Sequence, residues 1–339
     1  FQGRGECDAA HEACQPRSAC GPAAMDSTDP IGLLKRTHHR AAAGSRPLIP
    51  FKYECPDSVE GAISLLRQGN ARVLAGGTDL IPQMREGRRS AELVIDLKRI
   101  PELTTISELT DGGLAIGAAV SATKIASHPR IASAYPAVAA SVRLIGSLQV
   151  QTRASLGGNI CNAAPSADGV PAVICHKARA RIAGPEGRRE IALEEIFAGP
   201  GRTTLGPGEI LTAIVLPAPE PCSAAHYLRF TPRREMDIAV AGAGTWIKLD
   251  ENGAIAEARI TLASVGPTPL RAPSAEARLI GEKPIQSLIE EAGRLAAGDA
   301  RPISDTRGSA EYRRTLVSVL TARALAACCG SLGLEVEAP

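Results

Sequence analysis

Apolar residues first recur at helical spacing over 59–66. Val59, Ala62, Ile63, Leu65 and Leu66 fall on one face, Asp57 with Glu60 supplies a capping-box pattern, and Gly69 is placed as a stop. A short apolar run, Val73–Ala75, then reads as a strand ending in Gly76-Gly77-Thr78-Asp79. Leu93–Leu97 and Leu114–Gly117 read as two more strands, the second entered through the turn residues Asp111-Gly112-Gly113. Residues 122–127 and 137–144 return to helical spacing, and the alternation of helix and strand argues for an α/β domain. Residues 153–171 break the rhythm with glycine, asparagine, proline and small side chains, and read as a loop.

Strand patterning resumes at Ala178–Ala183 and Ile210–Leu216, and the three prolines of Pro217–Pro221 predict a linker between domains. Beyond it Tyr227–Phe230, Ala239–Leu249 and Ala258–Ser264 alternate as strands, with a turn at Asp250–Gly253. The end is helical over about 274–280, 285–297 and 310–327, and the stripe Leu316, Val319, Leu320 and Ala324 predicts core packing. Residues 1–48 are rich in Ala, Gly, Pro, Ser and Arg without an apolar period. They are expected to be a disordered leader, part of it outside the native product, and 331–339 a tail.

Composition narrows the function. The 339 residues leave room for two domains, and 44% hydrophobic with 22% charged residues suits a globular chain. Aromatics at 3% argue against a base-stacking nucleic-acid binder, and a net charge of +2 argues against a polyanion partner recruited by bulk field. No apolar run reaches bilayer length, so no integral membrane contact is expected. The nine cysteines are odd in number and form no Cys-x-x-Cys pair. No metal site and a reduced, cytoplasmic setting are therefore expected. The acidic pairs Glu194-Glu195 and Glu290-Glu291 fit solvated helix faces, and the histidines stand isolated, so no catalytic acid–base pair is expected.

Two segments carry candidate chemistry. In Leu74-Ala75-Gly76-Gly77-Thr78-Asp79-Leu80 a strand delivers two glycines, a hydroxyl and a carboxylate. In Ser155-Leu156-Gly157-Gly158-Asn159 a second glycine pair precedes Cys161 and Asp168. Glycines let main-chain N–H groups approach a phosphate closely, and Asp168 suits polyol hydroxyls. Each segment alone is more often a plain turn. Together they suit a dinucleotide, although neither is Gly-x-Gly-x-x-Gly. A redox cofactor would also explain the missing acid–base pair.

These segments, followed by Gly208-Glu209-Ile210-Leu211, Tyr227-x-Arg229 and Arg233-Arg234-Glu235-Met236-Asp237-Ile238-Ala239, resemble in order and spacing the FAD-binding medium subunit of the molybdenum hydroxylases, the xanthine dehydrogenase and aerobic carbon monoxide dehydrogenase family. The resemblance implies an α+β fold. A two-part FAD-binding domain of the vanillyl-alcohol oxidase (PCMH) type would span 49–220. A smaller C-terminal domain of a three-stranded antiparallel sheet with a helical bundle would span 221–330. It further implies that Leu74–Leu80 wrap the FAD pyrophosphate and that Ser155–Asn159 with Cys161 form a second phosphate and ribityl loop. Asp168 would bond FAD hydroxyls, while Ile145, Leu211 and Arg229 would lie against the cofactor. Ser155 keeps the hydroxyl of a frequent threonine, whereas Gln151-Thr152 replace a frequent Arg-Asn and inherit no role.

The implied partners are a small subunit with 2Fe–2S clusters and a large subunit with the molybdenum cofactor, in a dimer of heterotrimers. NAD⁺, a quinone or oxygen would be the acceptor, and this chain itself would hold no catalytic residue and no metal. Two rivals stay open: a self-contained FAD-dependent reductase resembling the cell-wall enolpyruvyl reductase, and a non-catalytic FAD-binding scaffold subunit.

Overall fold

The computed structural model describes residues 48–234 and 236–336. Residues 1–47 of the expected leader, with Cys7, Cys14, Cys20, His38 and His39, lie outside the described residues, whereas Leu48 already packs against the first layer. The first layer is a small parallel unit: β1 (Lys52–Glu54), α1 (Val59–Leu66), β2 (Ala71–Leu74), α2 (Leu80–Arg85), β3 (Leu93–Asp96) and α3 (Pro101–Thr104). β1 and β2 both pair in parallel with the buried central strand β3. Ser58 caps α1 rather than Asp57: its backbone is extended and its hydroxyl accepts from the Gly61 N–H at 3.2 Å.

A five-stranded antiparallel sheet follows. Its strands are β4 (Ile106–Glu108), β5 (Leu114–Gly117), β6 (Arg179–Gly184), β7 (Gly187–Ala192) and, after the small hairpin β8 (Phe197–Gly199) and β9 (Arg202–Thr203), β10 (Ile210–Leu216). The order is β4-β5-β10-β6-β7, and all seven residues of the central β10 are buried. Six short helices lie between β5 and β6: α4 (Ala122–Ser127), α5 (Pro129–Ala134), α6 (Pro136–Val142), α7 (Leu148–Gln151), α8 (Leu156–Asn162) and α9 (Gly169–Cys175). Their apolar faces (Ile125, Val138, Leu156, Ile160, Ile174) share one core with Ile116, Ile214 and Leu216 of the sheet.

Two of these helices fall where the sequence pattern predicts a loop. Helix α8 forms because Ser155 caps it and because Gly157 lets it settle on the main chain at Ala118. An added Cβ there would meet the Ala118 oxygen at 2.4 Å. Helix α9 is buried along its whole length, so tertiary packing outweighs the low helix propensity of its glycine and proline.

The third layer is a sheet of β11 (Ser223–Phe230), β12 (Ala241–Leu249), β13 (Ile255–Ala263) and β14 (Leu270–Arg271), covered by α10 (Pro273–Leu279), α11 (Gln286–Asp299) and α12 (Ala310–Ser331). The sheet has four strands, not three. The two-residue β14 is too short to show as a pattern and is held by a side chain. Glu276 of α10 accepts from the Ile260 N–H at 2.7 Å and from the Arg271 guanidinium at 2.6 and 2.5 Å, and is itself buried.

The seam between this sheet and α9 is close because two β12 glycines carry no side chain. A Cβ on Gly244 would come within 3.1 Å of Pro171, and one on Gly242 within 2.6 Å of the Tyr227 hydroxyl. At the same seam the buried Trp246 lies under the Lys177 ammonium, 4.5 Å from its ring centre. His176 packs edge-on against Tyr135, and burial lowers its pKa to about 4. Among the described residues all six cysteines are free thiols, no cluster of metal-ligating side chains forms, and no helix is long and apolar enough to cross a membrane.

Two predictions follow from the packing. His176 is neutral when folded and takes up a proton more readily when unfolded, so its share of stability is present above pH 6.5 and is lost as pH falls towards 4. Allowing for its partial exposure, that loss is on the order of 1 kcal/mol at pH 5. Urea midpoints for His176→Gln should therefore vary less between pH 7 and 5 than those of the wild type, and parallel profiles would refute the assignment. Glu276→Ala leaves the Ile260 N–H without its acceptor and Arg271 with only Glu194 at 3.6 Å, and should cost about 2 kcal/mol by chemical denaturation. Glu276→Gln, which can still accept from Ile260, should cost less.

Candidate functional site

A cleft of about 290 Å³ opens where β2 hands over to α2 and faces the start of α8 and the start of β10. It lies at the lower end of the roughly 300–1,000 Å³ of common small-ligand pockets. Its walls are built from main chain as much as from side chains. Gly76 lies so close to the second loop that a Cβ would sit 2.3 Å from the Arg153 oxygen and 2.9 Å from the Ala154 Cα. Gly77 turns the chain at φ +77°, which favours glycine and swings the strand end into α2. No hydrogen bond within the described chain uses the N–H groups of Gly76, Gly77 or Thr78. These donors therefore remain available to a ligand.

The second loop is fixed from behind. Ser155 pairs with Ser121 in an isolated bridge, and the Ala122 N–H donates to the Ala154 oxygen at 2.8 Å. The Ser155 hydroxyl accepts from the Gly158 N–H at 3.0 Å and closes the first turn of α8. Asn159 faces the cleft with its side-chain oxygen buried and without a partner. An orphaned buried acceptor costs about 1–3 kcal/mol, which a ligand hydroxyl would recover. Across the cleft the Gln83 amide donates to the Asn162 Oδ1 at 2.9 Å and laces α2 to α8.

Most of the residues expected from the sequence meet here. Leu74 through Leu80, Ile145, Ser155, Gly157, Gly158, Asn159, Cys161 and Leu211 all line the cleft. The Cys161 thiol opens onto it but is crowded by protein on its other sides, which pushes its pKa up to about 12 and keeps it protonated. Asp79 starts α2 without bonding its N–H groups, and desolvation raises its pKa against the pull of Arg88.

Three of the expected residues are not brought to the cleft surface. The Leu156 side chain is fully buried in the core. Asp168 and Arg229 form a buried ion pair, and the Tyr227 hydroxyl donates to the other Asp168 oxygen at 2.9 Å. Burial raises the Asp168 pKa, opposed first by the Arg229 charge and then by these bonds. Arg229 instead lines a separate hollow with Arg143, Leu148 and Arg234.

Sequence reasoning missed Gln83, Arg89, Thr203 and Leu205, which also line the cleft. Gln83 lies one turn into α2 and was within reach of a helix reading from Asp79. Thr203 and Leu205 come from the β9 hairpin and carry no local signal.

The residues fit FAD. The unused main-chain N–H groups of Gly76, Gly77 and Thr78 line the cleft, and the buried Asn159 amide oxygen has no protein partner. Comparison with known proteins points the same way. Residues 49–219 match the family model described as the FAD binding domain in molybdopterin dehydrogenase, and residues 226–328 the CO dehydrogenase flavoprotein C-terminal domain. The carbon monoxide dehydrogenase medium chain of Hydrogenophaga pseudoflava is 32% identical over 81% of this chain and 96% of its own length. A putative xanthine dehydrogenase FAD-binding subunit of Escherichia coli is 30% identical over 72% of this chain and 84% of its own. Among solved structures, carbon monoxide dehydrogenase from Hydrogenophaga pseudoflava superposes with a TM-score of 0.80 at 32% identity, covering 84% of this chain and 99% of that one. Quinoline 2-oxidoreductase from Pseudomonas putida does so with a TM-score of 0.79 at 25% identity. The chain belongs to the family of FAD-binding medium subunits of the molybdenum hydroxylases.

Proposed function

We propose that the chain is the electron-transfer flavoprotein subunit of a molybdenum hydroxylase complex. It accepts electrons from a 2Fe–2S subunit and passes them to NAD⁺, a quinone or oxygen. A large subunit with the molybdenum cofactor oxidises the substrate, and the assembly is a cytoplasmic dimer of heterotrimers. The observation that supports this most is the cleft itself: two glycine main-chain segments in contact, with free main-chain donors lining the space between them. When bound, FAD supplies the capacity to exchange electrons singly or in pairs.

The protein's own part is binding and orientation. The N–H groups of Gly76, Gly77 and Thr78 hold the pyrophosphate, and the turn at Ser155–Asn159 holds the ribityl side, where the Asn159 oxygen accepts from a hydroxyl. Leu156 contributes main chain only. Ile145 and Leu211 supply apolar contact and exclude water. Asp168 and Arg229 act as positioning residues, because their charges are spent on each other and on Tyr227, which joins α9 to the third sheet.

The absorption spectrum of the purified chain, alone and co-expressed with 2Fe–2S and molybdenum-cofactor subunits, tests the assignment. Flavin bands together with iron–sulfur absorbance and molybdenum in the co-purified complex are expected, with no substrate turnover by the chain alone. Flavin-free protein in both preparations would refute it.

The glycine geometry generates a sharper test. Gly76→Ala and Gly157→Ala each drive a methyl group into a main-chain oxygen. Each should lower flavin content by more than about tenfold, since the loops must separate by roughly an ångström to accept it. Full flavin occupancy in Gly76→Ala would remove the pyrophosphate assignment.

A further inference from the structure

Lys98 stands just behind the wall of the cleft, next to the cleft-lining Leu97. Its ammonium donates to the Arg153 main-chain oxygen at 3.2 Å. That oxygen is the same atom that a Gly76 Cβ would meet at 2.3 Å. A single peptide oxygen therefore separates the ammonium from the glycine that opens the first loop.

The charge there is not compensated within the protein. Lys98 is half-buried, and burial, then the positive charges of Arg153 and Lys124, lower its pKa. Asp96 is the one carboxylate that favours its charged form, and both Asp96 oxygens are engaged, one by the Tyr53 hydroxyl at 2.6 Å and one by the Lys98 main-chain N–H at 2.8 Å. Among the described residues no carboxylate lies within ion-pair distance of Lys98, Lys124 or Arg153. The carboxylates on the cleft do not cancel this field either. Glu209 is clamped by the Arg189 guanidinium at 2.7 and 2.8 Å, and desolvation raises the Asp79 pKa. A partly desolvated ammonium beside two other cations is unfavourable unless an anion sits nearby.

We propose that Lys98, with Arg153 and Lys124, is an electrostatic anchor for the dinucleotide pyrophosphate, acting through the Gly76 wall without touching it. This rests on the FAD reading above and adds to it. The main-chain donors fix where the phosphates sit, and the cationic trio supplies the net charge that glycine loops lack. A unit charge several ångströms from a dianion in a partly desolvated wall alters binding by about tenfold.

The test is FAD titration of the full-length, flavin-depleted chain, followed by flavin fluorescence across a KCl series. Lys98→Met should raise Kd about tenfold at low salt and flatten the dependence of Kd on salt, because the screened contribution is gone. Lys98→Arg should restore both. Lys124→Gln, an exposed helix position, should shift both in the same direction by less, and it carries the test if Lys98→Met does not fold. The dissociation constant for ADP should rise in Lys98→Met as that for FAD does, while that for adenosine, which has no phosphate, should stay at the wild-type value. Wild-type Kd and salt slope in both Lys98→Met and Lys124→Gln would overturn the anchor. A wild-type chain that binds no FAD would instead overturn the function proposed above.

Discussion

The cleft exists because two stretches of main chain touch with only hydrogen between them. Gly76 rests against Arg153–Ala154, and Gly157 rests against Ala118 in the same way one layer further in. These contacts set the spacing between the parallel unit and the five-stranded sheet, and every donor aimed into the cleft inherits its position from them. Side chains could not do this as well. A rotamer can move, whereas two packed peptide planes have nowhere to go.

Behind the cleft the structure uses polar groups differently. The Asp168–Arg229 pair with Tyr227 is buried and internally satisfied, and so is Glu276, held by the half-buried Arg271. Such pairs add little net stability compared with apolar packing, because desolvation offsets the attraction. They do fix register. The first ties α9 to β11 in the one arrangement that Gly242 leaves open, and the second pins β14 at the sheet edge. The cleft shows the reverse arrangement, with donors and an acceptor left without protein partners.

Much of this was legible in the sequence, and the failures have physical causes. The long helices and the strands β10, β12 and β13 showed through their periodicity, since each buries one continuous face or both. The two glycine segments stood out because a strand running into Gly-Gly has few purposes. Helices α8 and α9 did not, because glycine, asparagine and proline argue locally against helix and only burial overrules them. Asp168, expected to meet cofactor hydroxyls, meets protein groups instead. The partners it has, Tyr227 and Arg229, lie some sixty residues away in sequence, a distance over which no local pattern operates. Thr203 and Leu205 reach the cleft only because a hairpin folds back.

The lone tryptophan has a consequence of another kind. Trp246 is buried at the seam between α9 and the third sheet, beneath a lysine whose ammonium is also shared by Glu220 and Glu257. The chain thus carries a single indole emitter, placed where two layers meet and outside the cleft lining. Its emission reports the separation of those layers without interference from any other indole. With an isoalloxazine in the same chain as energy acceptor, the yield of that emission also becomes an internal ruler between the seam and the cofactor.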